Sequence, residues 1–167
     1  VHHFAGCDLD LIYERLRSRF PDIDFADCYM NPIMRKSGLT PDQLMRSRLY
    51  QPLKPRAIRA DAVAIIGSDL PLDEDSDLMA LLRSGNLRIH EIHRCRTYEE
   101  YQEMAESAVY ISRYPSAVIG GKQLAARLGA THLYVPYSYD FEEIESGLRR
   151  VAEALGLEMP DFTGKRE

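Results

Sequence analysis

The chain has 167 residues, of which 45% are hydrophobic and 28% charged, and its formal net charge is −5 at pH 7. This balance is typical of a folded globular protein and excludes an intrinsically disordered one. The acidic charge argues against a nucleic-acid partner, and no apolar run approaches the roughly 18 residues of a membrane span. Because the chain opens with Val1 and carries no signal peptide, we expect part of a longer, cytoplasmic protein.

The first fifty residues predict two strands and two helices. Residues 1–5 are apolar enough for a strand, and residues 9–20 place apolar side chains at helical spacing behind Asp8, a typical N-cap. Apolar and acidic residues alternate over 22–28, which predicts a second strand. A Thr-Pro pair then begins a helix over 40–50.

Proline and arginine are concentrated in residues 51–60, which predict a linker between residues 1–50 and an α/β domain over 61–157, with a polar tail over 158–167. Residues 33–60 contain seven basic side chains and one acidic one, a charge of +6 against −11 in the remainder. This asymmetry has two interpretations: a surface for an anionic ligand or acidic partner, or a solvated helix face followed by a basic linker.

From residue 61 onward, strand and helix patterns alternate. Strands are predicted at 62–67, 87–92, 108–112 and 132–135, and helices at 73–83, 97–105, 119–128 and 140–155. Such alternation predicts an α/β fold with an open, doubly wound, Rossmann-like parallel sheet of five to six strands. Ligands of these sheets bind beyond the carboxyl ends of the strands, so Gly67 and Ser68 are candidate cofactor-binding residues.

The sequence contains no GxGxxG, P-loop, GxSxG or HExxH motif. Its three cysteines, Cys7, Cys28 and Cys95, form no CxxC pair and fit a reducing compartment. Cys7 lies between a predicted strand and a helix N-terminus, which stabilises a thiolate. It is therefore a candidate nucleophile or iron–sulfur ligand, and the alternative is a small buried apolar side chain.

Cys95 is the second candidate, because its neighbours Arg94 and Arg96 would favour the thiolate form of its side chain. The alternative is a loop cysteine between two solvated arginines. His132 lies inside a predicted strand and is expected to pack in the core. Residues 120–122 read Gly-Gly-Lys, which suggests either phosphate binding or a flexible helix entry.

The order of these patterns resembles the nitrogenase component 1 type oxidoreductases. The resemblance is carried by an apolar strand ending in Ile-Gly at 66–67, a Thr-x-x-Glu helix start at 97–100, and Ala-Ala-Arg-Leu-Gly at 125–129 followed by Pro136. Residues 6–14, Gly-Cys-Asp-Leu-Asp-Leu-Ile-Tyr-Glu, resemble a cysteine-containing segment of the same family. The family includes the nitrogenase catalytic component, a related cofactor-assembly scaffold and the dark-operative reductases of chlorophyll synthesis.

The resemblance implies the end of the first domain and the middle domain of a component 1 subunit. Such a subunit passes electrons from an ATP-dependent iron–sulfur reductase to a metallocofactor or substrate site. Its partners would be that reductase and a homologous component 1 subunit. Cys7 would then ligate an iron–sulfur cluster, with the other ligands upstream of Val1 or on the partner, and loops after Gly67, His93 and Ser112 would line the cavity.

Two other functions are compatible with the same α/β layout. One is a non-catalytic module that binds a metal chelate or small anionic ligand at the strand ends. The other is a scaffold subunit that has no cofactor and binds only a partner. As an isolated fragment, the chain is expected to be inactive in either the oxidoreductase or the scaffold interpretation.

Overall fold

The computed structural model describes residues 8–28 and 38–159 and contains one sheet of four parallel strands in these ranges. The strands are β1 (Arg59–Ile66), β2 (Arg88–Glu91), β3 (Ser107–Ser112) and β4 (Thr131–Tyr134), in the order β2-β1-β3-β4. The helices are α1 (Leu9–Arg19), α2 (Pro41–Arg48), α3 (Asp77–Ser84), α4 (Tyr98–Glu103), α5 (Val118–Leu128) and α6 (Phe141–Leu155). No helix within the described ranges is long and apolar enough to cross a membrane.

The central strand β1 is buried on both faces, as its uninterrupted apolar run predicts. Val63 and Ile65 contact one core, to which α3 and α6 contribute, whereas Ala64 and Ile66 contact another core formed with α4, α5 and the segment after α2. Alternate side chains of a strand point to opposite faces of its sheet. The chain therefore covers the sheet with helices on both sides.

The order of the strands places two loops next to each other at the carboxyl edge. The chain leaves β1 for β2 on one side and then returns to β3 on the other. Val63 pairs with Ile89 of β2 and with Val109 of β3, so all three strands run in the same direction. The loops that follow β1 and β3 therefore begin at neighbouring strand ends and run in opposite directions. A crevice is left between these two loops.

Most predicted helix boundaries are confirmed by side-chain caps. Thr40 and Gln43 form a reciprocal capping box at α2, and Asp140 accepts hydrogen bonds from the first turn of α6. Thr97 caps α4 through the Glu100 amide, as predicted. The predicted capping box at this helix is only half formed, because the Glu100 carboxylate accepts from the Arg96 amide instead.

The strand predicted over residues 22–28 is wrong. This segment forms no ladder with the sheet and is held by its acidic side chains: Asp24 lies 2.8 Å from Lys54 Nζ, and Asp27 lies 2.8 Å from Arg48 Nη1. An alternating pattern gives a strand only where a neighbouring strand accepts its hydrogen bonds. The strand predicted over residues 1–5 lies outside the described residues, so the described sheet has four strands rather than five or six.

The basic excess of residues 33–60 is offset by acidic residues within the described chain. Each described basic side chain of this segment has an acidic partner; the pairs are Arg46–Asp69, Arg48–Asp27, Lys54–Asp24, Arg56–Glu99 and Arg59–Asp61. Arg35 and Lys36 lie outside the described residues. The charge asymmetry along the sequence thus becomes a set of ion pairs, four of which join distant segments of the chain and one of which, Arg59–Asp61, lies within β1.

Residues 51–60 are attached to the α/β body along much of their length. The Leu53 side chain is buried, and Arg127 of α5 donates hydrogen bonds to the carbonyls of Leu53 (2.6 Å) and Tyr50 (2.8 Å). Gln102 of α4 accepts from the Lys54 amide and donates to the Pro52 carbonyl. The segment is therefore fixed by side chains from two helices before it enters β1.

This attachment predicts that Arg127→Ala lowers the free energy of unfolding by about 1–3 kcal/mol, because two carbonyl groups lose a charged donor. The matched control is Arg149→Ala, which removes an exposed ion pair with Glu145 and should change it by less than about 0.5 kcal/mol. Urea denaturation of the three proteins measures both values. Equal effects of the two substitutions would contradict the structural role of Arg127.

Candidate ligand cleft at the carboxyl edge of the sheet

A cleft of about 570 Å³ lies at the carboxyl edge of the sheet. One wall is the loop after β1 and the first turn of α3, residues 70–78; the opposite wall is Arg113 and Tyr114 after β3 and residues 135–138 after β4. Ile144 and Leu148 of α6 also line it. Its position and volume are those expected of a small-molecule site in a parallel α/β sheet.

Arg113 is the one basic residue among the lining residues of this cleft. Its Nε is buried without a hydrogen-bond partner in the described part of the chain. Burial lowers the pKa of the Arg113 guanidinium, while Tyr137 and Tyr114 act in the opposite direction. An arginine side chain nevertheless stays protonated in proteins, so the cleft contains a cation with an unused donor.

Two other arginines near this edge have acidic partners. Arg46 of α2 contacts Asp42 at 2.9 Å and Asp69 at 2.8 Å, and it also donates to the Gly67 carbonyl. Arg94 forms ion pairs with Glu91 and Glu74. Among the described residues, by contrast, no ion pair involves Arg113. Arg113 is therefore an arginine in the cleft that has no acidic partner among the described residues.

Aromatic rings connect Arg46 to Arg113. The Arg46 Cζ lies 5.3 Å from the centroid of the Tyr114 ring, which meets the Tyr137 ring edge to face at 5.8 Å. The Tyr137 ring in turn lies 4.1 Å from the Arg113 Cζ. Both distances to arginine fall in the range of cation–π contacts. These four side chains, here called the Arg–Tyr row, extend from α2 to the cleft.

A buried carboxylate holds the loop that forms the first wall. Glu91, at the end of β2, is 1% exposed and accepts a 2.7 Å hydrogen bond from the Leu72 amide. Its second oxygen is paired with Arg94, which also contacts Glu74 on the same loop. Sequence reasoning missed this residue. The Glu-x-x-Arg spacing at 91–94 was the available signal, but a buried acid is identified only by its surroundings.

Gly67 lies at the carboxyl edge, as predicted, but its backbone groups are used inside the protein. Its φ is +70°, and a Cβ atom at this position would lie 2.1 Å from the Ala117 Cβ. Its amide donates to the Tyr50 hydroxyl at 3.1 Å, and its carbonyl accepts from Arg46. The Ser68 carbonyl lies 2.9 Å from His93 Nε2. Neither Gly67 nor Ser68 is among the residues that line the cleft.

Cys7 lies outside the described residues. The helix predicted to follow it is present: Asp8 caps α1 and accepts a 3.0 Å hydrogen bond from the Leu11 amide. Cys95 Sγ donates to the Glu91 carbonyl at 3.4 Å. Burial, followed by Glu100 and Glu103, raises the pKa of the Cys95 thiol, so the expectation that the adjacent arginines favour its thiolate is wrong.

Residues 8–28 and 38–159 contain no group of three or more histidine, cysteine, aspartate or glutamate side chains arranged to hold a metal ion. The described chain by itself does not provide the ligand set of an iron–sulfur cluster. Any cluster that involves Cys7 would need ligands from residues outside these ranges or from a partner subunit. The cleft, in contrast, is formed entirely by described residues.

His132 forms a polar contact that was not predicted. Its Nε2 lies 2.9 Å from Ser112 Oγ, and burial lowers the pKa of its imidazole, as does the nearby Lys122 charge. A Cβ on Gly121 would approach His132 Nε2 to 2.4 Å. The Gly-Gly pair at 120–121 lies inside α5 and permits close packing of this helix, so the expectation of a flexible entry or phosphate loop is wrong.

The described residues define an α/β protein with a cleft at the carboxyl edge of a four-stranded parallel sheet. No protein-family model matches this sequence, and no curated protein matches it.

The close contact at Gly67 predicts that Gly67→Ala lowers the free energy of unfolding by about 2–4 kcal/mol, through a steric clash and an unfavourable φ. Gly156→Ala is the matched control. Gly156 has a similar φ of +66° but open space around it, so only the cost of the left-handed conformation, about 1 kcal/mol, is expected. Thermal and urea unfolding measure both. Equal costs would mean that the backbone near Ala117 moves freely.

The environment of Cys95 predicts slow alkylation, because the raised pKa of its thiol reduces the thiolate fraction at pH 7–8. The rate of iodoacetamide modification at Cys95 should reach its half-maximum at a higher pH in the folded protein than in the urea-unfolded chain. Peptide mass spectrometry of quenched samples gives this rate for each cysteine separately. A half-maximum at a lower pH in the folded protein would show that a cation faces the sulfur.

Proposed function

We propose that this chain belongs to a cytoplasmic oxidoreductase subunit of the nitrogenase component 1 type. It would contribute the end of the first domain and the middle domain. The subunit would take part in electron transfer from an ATP-dependent iron–sulfur reductase to a metallocofactor or substrate site, beside a homologous component 1 subunit. The observation that supports this proposal is the carboxyl-edge cleft, which occupies the position where a middle domain of this kind would face its ligand.

Several residues that carry the resemblance lie near this edge. Ile66 and Gly67 end β1 at the carboxyl edge, and Pro136 lines the cleft. The Thr-x-x-Glu motif begins α4, whereas Gly129 ends α5 in a left-handed conformation at the opposite, amino edge of the sheet, near Ile58. In the proposed subunit the sheet is doubly wound, and the direction of the strand order reverses between β1 and β3. Residues outside the described ranges supply additional strands.

The exposed side chains of the N-terminal helix favour a contact with a partner or with a neighbouring domain. Helix α1 has no buried residue, and Leu11, Ile12 and Phe20 are each more than 40% exposed. Leu11 and Ile12 are neighbours in the first turn of α1, and Phe20 is the cap at its C-terminus. Exposed apolar side chains of this kind are typical of an interaction surface. In the proposed subunit, Cys7 precedes this helix and ligates a shared iron–sulfur cluster that relays electrons; the other ligands come from residues before Val1 or from the partner.

The second candidate function is a module that binds a small anionic ligand or metal chelate without chemistry. The unpaired guanidinium of Arg113 favours this function, because a buried cation is stabilised by an anion that reaches it. The two candidates use the same cleft. They differ in whether iron and sulfide are part of the working protein.

Anaerobic iron–sulfur reconstitution tests the first candidate. The full-length subunit with its partner should bind iron and sulfide stoichiometrically and gain visible absorption, and Cys7→Ser in that complex should lose both because a thiolate ligand is removed. Cys95→Ser is the matched control and should keep them, since the Cys95 thiol is held protonated. Iron and sulfide analysis, together with the visible spectrum, measures the result.

Iron that persists unchanged in Cys7→Ser would contradict the assigned relay ligand. If neither this chain nor the full-length subunit with its partner binds iron, the oxidoreductase function fails and the ligand-binding module remains.

A further inference from the structure

We propose that the cleft binds a monocarboxylate ligand, with Arg113 as the receptor for the carboxylate and the lining of α3 and α6 as the surface for an apolar body. This inference rests on the proposed role of the cleft as the ligand-facing wall and adds the chemical class of the ligand. Three features of the cleft support it: Arg113 without an acidic partner, the Arg–Tyr row that packs against Arg113, and the charged and apolar side chains that line the cleft.

The guanidinium of Arg113 has a donor that the protein leaves unused. Its Nε is buried without a partner, whereas Arg46 and Arg94 at the same edge are paired with acidic side chains. A protonated arginine presents its N–H donors as a planar fork that matches the two oxygens of a carboxylate. An anion that meets the terminal N–H groups of this fork would give Arg113 the ion pair that it lacks among the described residues.

The Arg–Tyr row holds the guanidinium in place before a ligand arrives. Tyr137 covers one face of Arg113, and Tyr114 supports Tyr137 from the side. Tyr114 is itself packed against Arg46, which Asp42 and Asp69 anchor with ion pairs of 2.9 and 2.8 Å. Stacking uses the face of the guanidinium and leaves its in-plane N–H groups for an anion. A receptor ordered in advance has less entropy to lose on binding.

The remaining lining residues favour one negative charge on an apolar molecule. Asp73, Asp75 and Asp77 lie on the wall formed by residues 70–78, and their charges disfavour a dianion such as phosphate more strongly than a monoanion. Leu72, Val135 and Leu148, all buried in one hydrophobic core, also line the cleft. They offer apolar surface to the body of a ligand, so a carboxylate attached to a hydrocarbon or aromatic group fits this combination best.

Three small molecules test the ligand class: 4-phenylbutyrate, its uncharged analogue 4-phenylbutanol, and inorganic phosphate. Each is titrated into the full chain while the Nε–H resonance of Arg113, assigned by its disappearance in Arg113→Lys, is followed by NMR. We expect saturable binding of phenylbutyrate with a Kd at least about tenfold lower than that of the alcohol, because the charged hydrogen bonds are made only by the acid. Phosphate should bind more weakly than phenylbutyrate.

Variants test the assigned roles. Binding to the variants is measured by isothermal titration calorimetry, because Arg113→Gln lacks the Arg113 resonance. Arg113→Gln should weaken phenylbutyrate binding at least about tenfold, whereas Arg96→Gln, which removes an exposed arginine that does not line the cleft, should change it less than twofold. Tyr114→Leu interrupts the Arg–Tyr row and should weaken binding about two- to fivefold. Tyr114→Phe keeps the ring and should bind like the wild type. Circular dichroism and urea unfolding verify that each variant is folded.

Equal binding of acid and alcohol, tighter binding of phosphate, or no saturable shift of the Arg113 resonance would each overturn the carboxylate assignment. Equal losses in Arg113→Gln and Arg96→Gln would show a general charge effect and overturn the role of Arg113. These results leave the iron measurement on Cys7→Ser unaffected. Failure of the oxidoreductase function and failure of the carboxylate site are therefore observed separately.

Discussion

Burial of β1 on both faces is the constraint on which the rest of the structure depends. Its apolar run, Val63 to Ile66, contacts two hydrophobic cores, and a parallel strand buried in this way needs helices on both sides of its sheet. The strand order β2-β1-β3-β4 follows with one neighbour on each side of β1. The diverging loops after β1 and β3 then leave the crevice in which the ligand cleft lies.

At the carboxyl edge, Arg46 and Arg94 form ion pairs within the protein, whereas Arg113 remains available to a ligand. Arg46 joins α2 to the loop after β1, and Glu91 with Arg94 holds the loop before α3. The side chains of these ion pairs form their hydrogen bonds mainly within the protein, and these bonds hold the cleft walls in place. Arg113 is treated differently, since its face is covered by Tyr137 while its Nε has no partner among the described residues. A rigid frame around one unsatisfied cation is the arrangement expected of an anion receptor.

The N-terminal segment is attached by charge rather than by apolar burial. Residues 22–28 are held through Asp24 and Asp27, and α1 keeps Leu11 and Ile12 exposed. The Asp24–Lys54 pair is largely exposed and contributes little net stability, so another surface against α1 would add apolar burial to this segment. This arrangement agrees with the proposed subunit, in which the region around Cys7 meets a partner. The α/β body, by comparison, contains two complete cores of its own.

The sequence by itself determined the four strands from β1 to β4, nearly all helix caps and the edge at which a site should lie. These features depend on local periodicity and on residues three or four apart, which a sequence displays directly. Only the tertiary structure decided that residues 22–28 form no strand, that Gly67 is a packing residue and that burial raises the pKa of the Cys95 thiol. The same holds for Arg113: whether a charged side chain has a partner depends on residues distant in sequence, because ion pairs and burial are properties of the packed chain.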